Sequence, residues 1–162
     1  MEVYLVRHGI AAPKGTYAED AERPLTEEGI EKTTEVAQRL LDMGIIFEYL
    51  LSSPLVRAYQ TAEILKNIGL AEEITLHEPL ATGGDIQLWL QWLNNNYNDE
   101  SKVALVGHRP DLGHWAEMLV FGSIQDKFIL KKAGILGMKI LNQTEPIGNS
   151  ELFLLTSHKW FI

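Results

Sequence analysis

Two short apolar runs in this sequence stop at a histidine. Val3-Tyr4-Leu5-Val6 leads into Arg7-His8-Gly9, and Val103-Ala104-Leu105-Val106 leads into Gly107-His108-Arg109. An imidazole with one unprotonated nitrogen is a competent nucleophile toward phosphorus. Arginines beside it disfavour the imidazolium form, which keeps that nitrogen free near neutral pH. A third segment, Ser52-Ser53-Pro54-Leu55-Val56-Arg57, sets Arg57 in the expected first turn of a helix, where free N–H groups and the helix dipole already favour an anion. A guanidinium adds a fork of donors matched to phosphate oxygens. Arg23, in Arg23-Pro24-Leu25-Thr26, is a further candidate. Gly9 would let a phosphate come close to the backbone.

Each of these residues alone has a plainer reading. A histidine at a strand end is commonly a satisfied polar residue, Arg7 and Arg57 could be surface groups, and Gly9 and Gly107 could serve turns. Three arginines and two histidines around one crevice, however, make a phosphate pocket. A rival grouping of His8, His108 and Asp85 around a metal ion is weaker, because the arginines would repel a cation.

These residues need elements to hold them. Val3–Val6, Tyr49–Leu51, Ile74–Leu76 and Val103–Val106 read as strands. Between them fall helices from Thr26, which reads as an N-cap, to about Gly44; from Ser53-Pro54, as cap and first helical residue, to about Asn67; from Asp85 to about Leu93; and from Asp111 to Val120. The first helix is expected to bury Ile30, Thr33, Ala37, Leu40 and Leu41. Gly134–Leu141 and Glu151–Thr156 alternate and should pair antiparallel late in the chain. Strands alternating with helices predict an α/β three-layer sandwich with a mainly parallel central sheet and one or two late antiparallel strands. In such sheets ligands bind outside the carboxyl ends of the strands, where both histidines fall. Neither a repeat nor a linker interrupts the chain, so residues 1–162 are expected to form a single domain.

Composition narrows the function. With 162 residues and 46% apolar content the chain can bury a substantial core. The absence of cysteine excludes thiolate nucleophiles and thiolate metal sites. A formal net charge of -8 argues against general nucleic-acid binding, and no apolar run is long enough to span a bilayer, so the expected location is the cytoplasm. His77, His114 and His158 read as structural or surface residues, Trp89, Trp92 and Trp115 as helix packing, and Lys131-Lys132 as a surface pair.

The ordered set Arg7-His8-Gly9, Ser53-Pro54 with Arg57 and Thr61-Ala62-Glu63, then Gly107-His108, resembles the histidine phosphatase superfamily, of phosphoglycerate-mutase-like fold. Arg23-Pro24-Leu25-Thr26, Gly83-Gly84-Asp85 and the compact length are similar to its SixA-type phosphohistidine phosphatases. The resemblance runs from Met1 to about Leu119. It implies a phosphatase in which His8 takes the phosphoryl group and passes it to water, while Arg7, Arg57 and His108 hold the phosphoryl oxygens and Arg23 adds a contact. No cofactor or metal is implied, because the arginines neutralise the charge. Glu78 and Asp85 are the candidates for general acid; the branch usually reads Pro-Glu-Leu where this chain has Glu78-Pro79-Leu80. The expected substrate is phosphohistidine on a signalling or phosphotransfer protein. The alternatives are a small phosphorylated molecule, or a phosphate-binding module without turnover. The role of Arg109 stays open at this level.

Overall fold

A computed structural model describes residues 1–161. Its six strands are β1 (Glu2–Arg7), β2 (Tyr49–Ser52), β3 (Thr75–Leu76), β4 (Lys102–Gly107), β5 (Ile135–Lys139) and β6 (Glu151–Thr156). They form one sheet in the order β3-β2-β4-β1-β5-β6. The first four neighbours are parallel, whereas β5 runs antiparallel to both β1 and β6. This is the phosphoglycerate-mutase-like three-layer arrangement expected, with the antiparallel pair at the end of the chain.

Alternation along the strands divides the core. Tyr4, Val6, Leu50, Ala104 and Val106 pack against α1 (Glu27–Asp42) and α2 (Val56–Ile68). Val3, Leu5, Leu51, Val103 and Leu105 point the other way, to α3 (Ile86–Asn96) and α4 (Asp111–Phe121). On that second face Trp89 and Trp115 stack with ring centroids 6.0 Å apart, and Trp92 meets Tyr49 edge-on at 5.1 Å. Fully burying such a large side chain contributes about 1.5–3 kcal/mol; Trp89 and Trp115 are core residues, and Trp92 packs against that core partly buried.

Two local expectations change. Thr26 does cap α1, accepting from the Gly29 N–H at 3.0 Å. The buried stripe of α1, however, is Gly29, Thr33, Val36, Ala37 and Leu40, and Ile30 is 45% exposed. The helix is rotated because its N-terminal turn lies directly on the chain after β1: a Cβ on Gly29 would stand 2.1 Å from the Ile10 carbonyl oxygen. The second helix starts at Val56 rather than at Pro54. Ser53 still follows the sheet ladder, its N–H donating to the Val106 carbonyl at 2.9 Å, so the chain cannot turn helical until two residues later.

The ends of three strands come together by register. Arg7 lies opposite Gly107, and Ser52 opposite Val106. The ladder continues past β1, with the His8 N–H on the Gly107 carbonyl at 3.0 Å. Residues 8, 53 and 108 therefore leave the sheet side by side. No helix among the described residues is long and apolar enough to cross a membrane.

Candidate active site

His8 is 6% exposed, and its ring is fixed from both sides. Nδ1 lies 2.7 Å from the Gly9 carbonyl oxygen, an acceptor only, so Nδ1 carries the proton. Nε2 is then a free lone pair, and it accepts from the Arg57 Nε–H at 3.4 Å. Burial, helped by His108, Arg57 and Arg7, lowers the His8 pKa to about 3 against the pull of the Gly9 carbonyl. The imidazole is thus neutral at physiological pH in a known tautomer.

His108 faces it, the ring centroids 5.2 Å apart. Its Nε2 lies 2.7 Å from Ser53 Oγ, which also accepts from the Leu55 N–H at 3.2 Å. With that N–H as donor, the Ser53 hydroxyl is free to direct its own proton at His108. Ser53 therefore orients an imidazole rather than opening a helix. Burial, then Arg57, lowers the His108 pKa to about 4. Nδ1 of His108 and Nε of Arg7 are buried and have no hydrogen-bond partner among the described residues. Buried orphan groups are uncommon, and both belong to residues that line one cavity.

That cavity, of about 490 Å³, lies at the carboxyl ends of β1, β2 and β4. Six cations line it: Arg7, Lys14, Arg23, Arg57, Arg109 and Lys132. Among the described residues Asp20 is the sole acid of its wall. Arg23 donates through Nε to Asp20 Oδ1 at 2.8 Å and through Nη1 to the Ala12 carbonyl at 2.6 Å. Arg57 donates to the Asp20 carbonyl at 3.0 Å and to Asp20 Oδ2 at 3.2 Å. The hydrogen bond from Arg23, then the charge of Arg57, lowers the Asp20 pKa. The structure thus brings His8, His108, Arg7, Arg23 and Arg57 to one place, and Arg109 with them.

Three expected residues are elsewhere. Gly9 does not line the cavity: its missing side chain makes room for α1, since a Cβ there would lie 2.4 Å from Thr33 Oγ1. Asp85 is exposed and caps α3, accepting from the Gln87 N–H at 2.9 Å. Glu78 is exposed in a single 3-10 turn before α3 and also stands off the cavity wall. Both acids follow β3, at the sheet's edge, whereas the cavity is built on β1, β4 and β2. The His8/His108/Asp85 grouping is therefore not assembled.

Other contributors were missed. Asp20 looked like any polar loop residue, and Lys132 like a surface lysine. Thr61 had no decisive face in the sequence, yet its hydroxyl accepts from the Gly9 N–H at 3.0 Å and donates to the Arg57 carbonyl at 2.8 Å. It ties the loop after β1 to α2. The sequence signals for it were its spacing, one helical turn after Arg57, and its place in the Thr61-Ala62-Glu63 stretch, neither of which told that its hydroxyl reaches the Gly9 N–H.

A family model, histidine phosphatase superfamily (branch 1), matches residues 3–81. An uncharacterized protein of Picosynechococcus sp. is 46% identical over 164 residues, covering 100% of this chain and 99% of that protein. The phosphohistidine phosphatase SixA of Escherichia coli K12 is 31% identical over 132 residues, covering 79% of this chain and 80% of that protein. A solved structure of the protein histidine phosphatase SixA complexed with tungstate superimposes with a TM-score of 0.86 at 26% identity, covering 100% of both chains. With its paired histidines and arginines at the sheet's carboxyl edge, this chain belongs to the histidine phosphatase superfamily, as a SixA-type member.

Proposed function

We propose that this protein removes the phosphoryl group from phosphohistidine on a protein, through a phosphohistidine intermediate at His8. One observation carries the reading: the His8 Nδ1 proton is committed to the Gly9 carbonyl, so the Nε2 lone pair faces Arg57 and the cavity. In the first step Nε2 attacks phosphorus in line. The bond from phosphorus to the leaving nitrogen breaks, and its electron pair stays on the departing imidazole. In the second step water attacks the phosphoryl group on His8, which releases orthophosphate and restores the Nε2 lone pair. Arg57, Arg7 and His108 surround the equatorial oxygens, and the unpartnered Arg7 Nε and His108 Nδ1 are the groups such oxygens would satisfy. Tungstate in the similar SixA structure is likewise a tetrahedral oxyanion.

The leaving group's need for a proton supports the choice of substrate class. An alkoxide is a poor leaving group and needs a proton donor, whereas imidazole can be protonated on its far nitrogen and needs less help. Asp20 is held ionised by Arg23 and Arg57 and is therefore a poor donor. Incubation with a phosphohistidine protein and a rapid acid-free quench tests the reading. The expected result is an alkali-stable, acid-labile label on His8 and none in His8→Asn. Phosphate binding without any label would instead make this a binding module, and faster turnover of alkyl phosphates would reassign the substrate.

A further inference from the structure

The catalytic cavity does not end at its own rim. Through Arg7 and Lys132 it adjoins a second groove of about 420 Å³, walled also by Lys32, Lys131, His158 and Lys159 with Ile10 beside them. The six cations of the cavity and these three further lysines make nine of the chain's fourteen lysines and arginines. A chain of net charge -8 thus gathers most of its cations along one continuous track.

The track is held in place by the fold. The turn carrying Lys131 and Lys132 is pinned to the end of β1: Arg7 Nη1 donates to the Leu130 carbonyl at 3.1 Å, and the Ala133 N–H is shared by the Arg7 and His8 carbonyls at 3.1 and 3.2 Å. The opposite wall is fixed to α1 by the bond between His158 and Glu35. Lys32 is already paired with Glu28, but Lys131, Lys132 and Lys159 make no ion pair among the described residues. Trp160, one residue beyond Lys159, is 82% exposed. Tryptophan is among the residues enriched at protein-contact surfaces, and lysines without an ion pair among the described residues leave their charge free to meet an acidic partner.

We infer that this groove docks an acidic stretch of the phosphoprotein whose phosphohistidine enters the cavity. The inference rests on the function proposed above and deepens it. Opposite charge favours such a partner, and the strongly acidic remainder of the molecule repels one that approaches in any other orientation.

Two synthetic phosphohistidine peptides, one flanked by glutamates and one by glutamines, test it alongside free phosphohistidine. The wild-type protein should show kcat/KM about fivefold to tenfold higher for the acidic peptide at low salt, a preference that added salt removes. Lys131→Glu/Lys159→Glu should abolish the preference while leaving turnover of free phosphohistidine unchanged. Lys66→Glu/Lys139→Glu, which changes the net charge equally on exposed positions outside the groove, should retain it. Equal kcat/KM for both peptides, or a preference that survives the groove reversal, overturns the docking inference alone. Absence of turnover of free phosphohistidine overturns the functional reading and the docking with it. Groove-dependent binding to phosphatidylserine vesicles, without a peptide preference, would reassign the groove to a membrane surface and overturn the inference.

Discussion

Both imidazoles are held neutral by burial, and this has a measurable cost in acid. An unfolded histidine titrates near 6.5, whereas the folded values are about 3 for His8 and about 4 for His108. Between those limits the unfolded chain binds more protons than the folded one, so stability is full above pH 6.5 and falls as the pH drops below it. From pH 7 to pH 5 each histidine should remove about 2 kcal/mol. Denaturant unfolding at the two pH values should therefore show a loss that shrinks by about 2 kcal/mol in His8→Asn; an unchanged loss would mean that His8 is not held neutral. Asp20 acts at the same scale. Its carboxylate occupies donors of Arg23 and Arg57 that a phosphoryl group would use, and it also steadies Arg57. Asp20→Asn should tighten orthophosphate inhibition about twofold to fivefold, the range of an exposed ion pair, while lowering kcat. Weaker inhibition would show that Asp20 helps to bind the anion through Arg57 rather than competing with it.

Elements place these residues through close contacts between small groups. Gly9 sits under α1 so tightly that a methyl group would meet Thr33 Oγ1 at 2.4 Å and the Gly29 carbonyl oxygen at 3.1 Å. Gly9→Ala should cost about 1–3 kcal/mol, the usual penalty of overpacking. Thr33 Oγ1 is itself unpartnered, so Gly9→Ala/Thr33→Ala should recover much of that loss in thermal unfolding. Additive losses would place the strain elsewhere. This contact also marks where sequence reading stopped. The ends of β1 and β4 were legible because each apolar run halts at a histidine, and parallel pairing then brings those ends together. Arg57 was legible from its place after Ser53-Pro54. The role of Ser53 was not, because its partner, His108, is 55 residues away. Asp20 was hidden for a related reason. Nothing local in residues 8–24 tells that the loop returns to the sheet edge, where Ala11 bridges Leu25 and the Thr26 N–H reaches the Ile10 carbonyl at 2.9 Å. Glu78 and Asp85 misled because an acid near a glycine turn looks the same whether it faces a cavity or caps a helix.

At the scale of the whole molecule, the fold stores electrostatic repulsion in one place. Burial, then Arg109, lowers the Arg7 pKa, and burial, then Arg23, lowers that of Arg57. Both guanidiniums stay charged at neutral pH, so the anion-free protein bears the repulsion and a bound dianion relieves it. Any ligand that binds only the folded state stabilises it by mass action, by about 2.7 kcal/mol at one hundred times its dissociation constant. For a chain of this length each kcal/mol raises Tm by about 2–4 °C, so orthophosphate at that level should raise it by about 5–10 °C. Arg7→Met removes a buried nitrogen that lacks a partner and one of the repelling charges while keeping an apolar stem. Its anion-free Tm should stay close to that of the wild type, because the relieved repulsion offsets the lost Nη1 bond to the Leu130 carbonyl, and its response to phosphate should fall below half. Differential scanning calorimetry with and without phosphate measures both quantities. A variant that melts lower without the anion yet keeps the full phosphate response would show that Arg7 serves the fold and not the anion.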